Sequence, residues 1–189
     1  MANTSRPPAA AWQVLERRPL LDRLPWIAVW LERVRLPNGV VIDDYFRVSL
    51  RSWVAIFAVT QDGRVPLVRQ YRHGVGIPLL ELPAGYVDEG EAPLAAGARE
   101  LREEVGCAAE SLTLLDHFSI LPERSAMTMH LVLARGAFMV GDPQLEATEA
   151  LSVEWLALPD LVAAWRQGAI TAAAHAAAIA RGLAEVGAL

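Results

Sequence analysis

The sequence predicts a layered α+β domain with a strand-rich element at its N-terminus. Three observations lead there. Apolar, β-branched runs flank turn signals through the first half of the chain, a single amphipathic segment at 93–105 interrupts them, and from Leu158 onward the residues are helical in pattern and rich in alanine. A chain of 189 residues suffices for one domain with a small appended element. We expect a division into residues 1–48, a tail and strand-rich extension, and 49–189, the main domain.

Taken in order, MANTSRPPAAAW lacks the basic start and apolar stretch of a signal peptide and reads as a frayed tail. Trp26 to Val48 reads as extended segments around a turn at Pro37-Asn38-Gly39. SWVAIFAVT and RVPLVRQY flank Gln61-Asp62-Gly63, the pattern of a hairpin, and the first run is apolar on both faces, which places it centrally in a sheet. RHGVGIPLL is looser and leads into ELPAG. Pro93 suits a first helical turn, Leu94 to Val105 continues the helix, and Gly106 stands where a C′ glycine ends one. SLTLLDHFSILP, MTMHLVLARGAF and VEWLAL alternate as strands do, and the chain closes with two short helical runs broken near Gly168.

Composition removes several function classes. A net charge of −5 and a pI near 5.4 supply no basic surface for nucleic acid or an anionic membrane. The alanine-rich run AITAAAHAAAIARGL is too weakly apolar, and too interrupted by His175 and Arg181, to span a bilayer. The single cysteine, Cys107, excludes an intrachain disulfide framework and reads as a small buried hydrophobe, so a reducing cytoplasm is the expected compartment. His73, His117, His130 and His175 show no metal-ligand spacing and read as core or surface histidines. No dinucleotide fingerprint, Walker loop or nucleophile elbow occurs.

The chemistry concentrates in GYVDEGEAPLAAGARELREEVGC, residues 85–107. At about 100° per residue, Glu100, Glu103 and Glu104 share one side of the helix, while Leu94, Ala98, Leu101 and Val105 gather on the other as its core face. Local physics disfavours those acids. Glu100 and Glu104 are a like-charge i,i+4 pair costing about 0.2–0.5 kcal/mol, and Glu103 and Glu104 lie in the last turn, where the macrodipole penalises anions by roughly 0.3–1 kcal/mol. A divalent cation would turn that repulsion into attraction, and carboxylates are the hard oxygen ligands that Mg²⁺ and Mn²⁺ prefer.

The spacing runs Gly85, five residues, Glu91, seven residues, Arg99-Glu100-Leu101, one residue, Glu103-Glu104, one residue, Gly106 and apolar Cys107. This resembles, at every fixed position, the signature of the Nudix hydrolases. The resemblance implies the Nudix fold, an α+β domain with a mixed β-sheet sandwiched between helices, and hydrolysis of a nucleoside diphosphate linked to another group, supported by Mg²⁺ with Mn²⁺ as a substitute. It also implies Glu100 and Glu104 as principal metal ligands, with the Ala84 carbonyl a further ligand and Glu103 either completing the site or acting on water. Arg99 would hold a carboxylate in position, Gly85 would permit a sharp turn before the loop, and Glu91 would brace it.

Beyond the box, LPNG, VRQYRHG, ELPAG and the pattern around VEWLALPDL resemble the ADP-ribose pyrophosphatase branch across about residues 25–185. That likeness implies a homodimer built by the N-terminal strands, substrate contacts from Arg72 and Glu81, and a catalytic base from the loop GDPQLEATEALSV, with Glu149 first and Glu146 second. Pro122 stands where the branch carries a proline associated with ADP-ribose preference, but its surroundings, LPERSAMTMH, depart from the branch pattern. The expected reaction is therefore cleavage of ADP-ribose or another ADP-sugar to AMP and a sugar phosphate. The alternatives are a GDP-mannose or other nucleotide-sugar pyrophosphatase, and a non-catalytic nucleotide-binding regulatory module.

Overall fold

The structure, a computed structural model, describes residues 11–189, so the expectation of a frayed tail lies, for residues 1–10, outside the described residues. The chain forms two compact units. One runs to Arg51 and takes in Leu121–Met127, and the other comprises Ser52–Ile120 and Thr128–Leu189.

The first unit is an antiparallel meander of β1 (Gln13–Arg23), β2 (Ile27–Arg35) and β3 (Val41–Leu50) in the order β1-β2-β3. Gly39 turns β2 into β3 with φ at 88°, as the Pro-Asn-Gly signal requires. The sequence reading did not anticipate β1, whose run QVLERRPLLDR is dense in charge and contains Pro19. An edge strand tolerates both, and the register slips between Pro19 and Leu21. Residues 121–127 are laced onto β3: the Val48 amide donates to the Arg124 carbonyl at 2.9 Å, the Arg124 guanidinium donates to the Phe46 carbonyl at 3.0 Å, and it lies 5.0 Å from the centre of the Tyr45 ring.

In the second unit, β4 (Trp53–Thr60), β7 (Ala84–Tyr86), β8 (Cys107–Ser119) and β9 (Thr128–Met139) form a sheet ordered β7-β4-β9-β8, with β4 and β9 parallel. Strand β4 is central, as its two-faced apolarity predicts. A second sheet is ordered β10-β5-β6, from β5 (Arg64–Arg72), β6 (Ile77–Glu81) and β10 (Leu151–Ala157). The helices are α1 (Pro93–Val105), α2 (Leu158–Arg166) and α3 (Ala173–Glu185), the last two separated around Gly168 as expected. Alternate residues of β4 and β9 serve opposite faces. Phe57, Met129 and Leu131 pack with Leu161, Ile179 and Leu183 of α2 and α3, while Val54, Ile56 and Val132 pack with Ala96, Leu101 and Val105 of α1. This mixed sheet with helices on both faces is the predicted α+β sandwich.

Packing of α3 depends on Gly182, since a Cβ there would run into the Phe57 ring. Phe57 is fully buried and has nowhere to move. Gly182→Ala is expected to cost about 1–3 kcal/mol, the usual penalty for overpacking, and a urea midpoint measured against wild type checks it.

Candidate active site

Helix α1 brings the carboxylates together. It starts at Pro93 with no acid in its first turn and ends at Gly106, whose amide donates to the Arg102 carbonyl and whose φ of 72° turns the chain out of the helix. The face turned to the sheet differs from the expected one. Ala96, Gly97, Leu101 and Val105 are buried, whereas Leu94 and Ala98 are exposed. The reason is close approach: Gly97 lies over Val132, where even a Cβ would be crowded, so the helix settles on its smallest residues. That rotation buries Glu100 and Glu104, only 6% and 3% exposed, instead of leaving a solvated acidic face.

Arg99 ties the acids together. It donates to Glu100 at 2.6 Å, to Glu103 at 3.1 Å, to both oxygens of Glu91 at 3.1 and 3.2 Å, and to the Tyr86 carbonyl at 3.0 Å. The Arg99 pairing holds the Glu91 carboxyl below its ordinary range. Glu104 lies beyond this network and accepts the Ala84 amide at 2.8 Å. Burial pushes its pKa up to about 8 despite that hydrogen bond, and the charges of Glu100 and Glu149 push the same way. Burial also raises Glu100, against the pull of Arg99.

Gly85 is not the sharp turn expected of it. It sits in β7 opposite Val54, is absent from the glycines with positive φ, and a Cβ there would overlap the Glu100 carboxylate. Its value is clearance.

Of the two loop acids, Glu149 exerts its charge on both Glu100 and Glu104, while Glu146 is exposed and donates its amide to the Glu149 carboxylate at 2.9 Å. The same loop is tied to the end of α1 by the Gln144 amide donating to the Glu103 carbonyl at 2.8 Å. Pro122 falls in the other compact unit, with residues 121–127. Cys107 is buried, its Sγ 3.4 Å from the Met139 sulfur. Among the described residues no three acidic, Cys or His side chains already meet as a metal cage, and Arg99 occupies oxygens of Glu100 and Glu103. The donor chemistry fits a hard divalent cation nonetheless. Two buried carboxylates lie one helical turn apart within reach of the charge of Glu149, and among the described residues Glu104 shows no cationic hydrogen-bond partner.

Arg72 and Glu81 form an ion pair, Nε and Nη2 reaching one Glu81 oxygen at 2.8 and 2.6 Å, and Glu81 is 3% exposed. The sequence reading missed their third member, His175 of α3. Its Nδ1 accepts the Leu82 amide at 3.1 Å and its Nε2 lies 3.7 Å from the other Glu81 oxygen. No local signal marks this residue, which stands 93 positions from Leu82. Burial lowers its pKa to about 4, outweighing the pull of Glu81, so the imidazole is neutral at pH 7. Because the folded-state value lies below the ordinary 6.5, the folded form is favoured when His175 is neutral, and stability drains away as pH falls from 6.5 toward 4. Between pH 7 and pH 5 this one group is expected to remove about 2 kcal/mol. Urea denaturation of wild type and His175→Gln at both pH values checks it, and an equal loss in the two proteins would count against the assignment.

The comparisons with known proteins agree with this geometry. A NUDIX domain model matches residues 49–176, and a nucleoside diphosphate sugar hydrolase N-terminal domain model matches residues 12–48. The chain belongs to the Nudix family. An ADP-ribose pyrophosphatase of Mycobacterium tuberculosis is 39% identical over 126 residues, which is 66% of this chain and 60% of that protein. One from Bacillus subtilis is 32% identical over 135 residues, 71% of this chain and 72% of its own length. A crystal structure of an ADP compounds hydrolase superposes with a TM-score of 0.81 at 24% identity, over 95% of this chain and 98% of that one, and shows the Nudix fold. Within the Nudix family the chain falls in the ADP-ribose pyrophosphatase-like branch, and it spans 60% of the length of the mycobacterial relative.

Proposed function

We propose that the protein is a Mg²⁺-dependent Nudix pyrophosphohydrolase, accepting Mn²⁺ as a substitute, that cleaves ADP-ribose or another ADP-sugar to AMP and a sugar phosphate. The observation that carries the reading is the burial of Glu100 and Glu104 without enough positive charge to balance them, inside a chain that matches the Nudix model. The names of the mycobacterial and Bacillus relatives supply the substrate class.

In this reading Glu100, Glu104 and the Ala84 carbonyl hold the metal, with Glu103 beside them. When bound, the metal supplies charge neutralisation of the pyrophosphate and a lowered pKa for an attacking water. Arg99 keeps Glu100 and Glu103 from swinging into solvent. Glu149 takes the water proton as oxygen attacks phosphorus and the bond to the bridging oxygen breaks. Support for it over Glu146 is the charge it exerts at Glu100 and Glu104. Arg72, held by Glu81, contacts a phosphate of the substrate.

The first unit supplies a dimerisation face in this reading. Trp12, Val14, Leu20, Leu21, Trp26 and Phe46 are all exposed there, the kind of apolar surface a second copy would cover. No helix among the described residues is long and apolar enough to cross a membrane, and we assign the protein to the cytoplasm.

The test is a panel of ADP-ribose, other ADP-sugars and GDP-mannose with Mg²⁺, reading AMP or GMP by chromatography, together with sedimentation for the dimer. AMP from ADP-ribose or an ADP-sugar is expected. Cleavage of GDP-mannose alone overturns the substrate assignment, and tight nucleotide binding without turnover favours the regulatory module instead.

A further inference from the structure

The cluster of His175, Glu81 and Arg72 connects the C-terminal helix to both arms of the candidate site. We infer that His175 is a positioning residue for the pyrophosphate: its Nε2 edge steadies Glu81, which aims the Arg72 guanidinium, while its Nδ1 edge pins the Leu82 backbone two residues before Ala84, whose amide holds Glu104. The inference rests on the proposed pyrophosphatase reading for the ligand, while its geometry is that of this chain's own residues.

The bonding fixes the tautomer. A backbone amide donates to Nδ1, so a neutral imidazole carries its proton on Nε2, the nitrogen turned toward Glu81. Trp53 lies against the ring, centroids 5.2 Å apart, and His175 is 4% exposed, so the imidazole cannot rotate to another partner. Glu81 uses one oxygen for Arg72 and turns the other to His175. Nε and Nη2 of Arg72 engage Glu81, so in this inference the remaining guanidinium nitrogen, Nη1, is the one offered to an incoming phosphate. A histidine that only filled core volume would need neither polar contact.

Two substitutions separate the edges. Asn places its oxygen where Nδ1 accepts the Leu82 amide and lacks the Nε2 edge, whereas Gln extends an amide nitrogen toward Glu81. Affinity for inorganic pyrophosphate, by calorimetry with Mg²⁺, is measured beside kcat and KM for ADP-ribose and a urea midpoint. His175→Asn is expected to weaken pyrophosphate binding and raise KM by roughly tenfold with kcat little changed, His175→Gln to recover most of that loss, and the Asn effect to vanish in an Arg72→Ala background. Unchanged pyrophosphate affinity in His175→Asn, or an effect that persists in full without Arg72, overturns the inference. If wild type binds pyrophosphate but leaves ADP-ribose intact, the substrate assignment fails, while the calorimetry still decides the role of His175.

Discussion

Glu104→Gln is expected to abolish turnover and, at the same time, to stabilise the metal-free protein. On the proposed reading Glu104 holds the metal, so its removal sacrifices several kcal/mol of transition-state stabilisation, roughly a 10³-fold fall in kcat. In the absence of metal the same carboxylate is a burden, being 3% exposed and facing the charges of Glu100 and Glu149. A neutral amide still accepts the Ala84 amide and relieves about 1–3 kcal/mol of that strain. The sign with pH follows from the raised folded-state pKa. The contribution of Glu104 to stability is present at low pH, where it is protonated, and is lost as pH rises toward and through about 8. The gain from Gln is therefore largest under alkaline conditions. Urea denaturation in chelator at pH 6 and pH 9, with kcat measured in Mg²⁺, tests both halves. Retained turnover, or no gain in stability at the higher pH, would remove Glu104 from the metal site.

The second large effect comes from a single methyl group. Gly85→Ala puts a Cβ into the space of the Glu100 carboxylate, and β7 cannot retreat because Gly85 is paired with Val54 in the sheet. The flexible end of Glu100 must yield, breaking its 2.6 Å contact with Arg99. If Glu100 holds the metal as proposed, displacing it by about 1 Å is expected to cost on the order of 10²-fold in turnover, with a much smaller change in the urea midpoint. Wild-type turnover in this variant would show that the position of the Glu100 carboxylate does not matter.

The sequence made α1, its caps and its acids legible because helix geometry and the Nudix signature both impose fixed spacings. The central place of β4 was legible because a strand buried on both faces is continuously apolar. What could not be read were properties of tertiary packing. Leu94 and Ala98 looked like core and are exposed, since the helix seats on Gly97 against Val132. Gly85 looked like a hinge because glycine is permissive of unusual backbone, whereas the structure needs only its missing side chain. His175 had no local signal, its partners being supplied by β6 and the residue after it. Strand β1 was hidden because an edge strand carries charge and proline as readily as a loop does.

The lacing of residues 121–127 onto β3 has a topological consequence. The polypeptide crosses between the two compact units three times, after Arg51, after Ile120 and after Met127. A protease cutting once near residue 50 would leave the N-terminal strands joined to the rest only by non-covalent contacts such as the Val48 and Phe46 hydrogen bonds to Arg124. Deleting the N-terminal residues would strip Val48 and Phe46 from Arg124 and leave an orphaned seven-residue loop on what remained. The extension is thus not a cassette to be trimmed or grafted, and any exchange of N-terminal segments between relatives must carry the 121–127 loop with it.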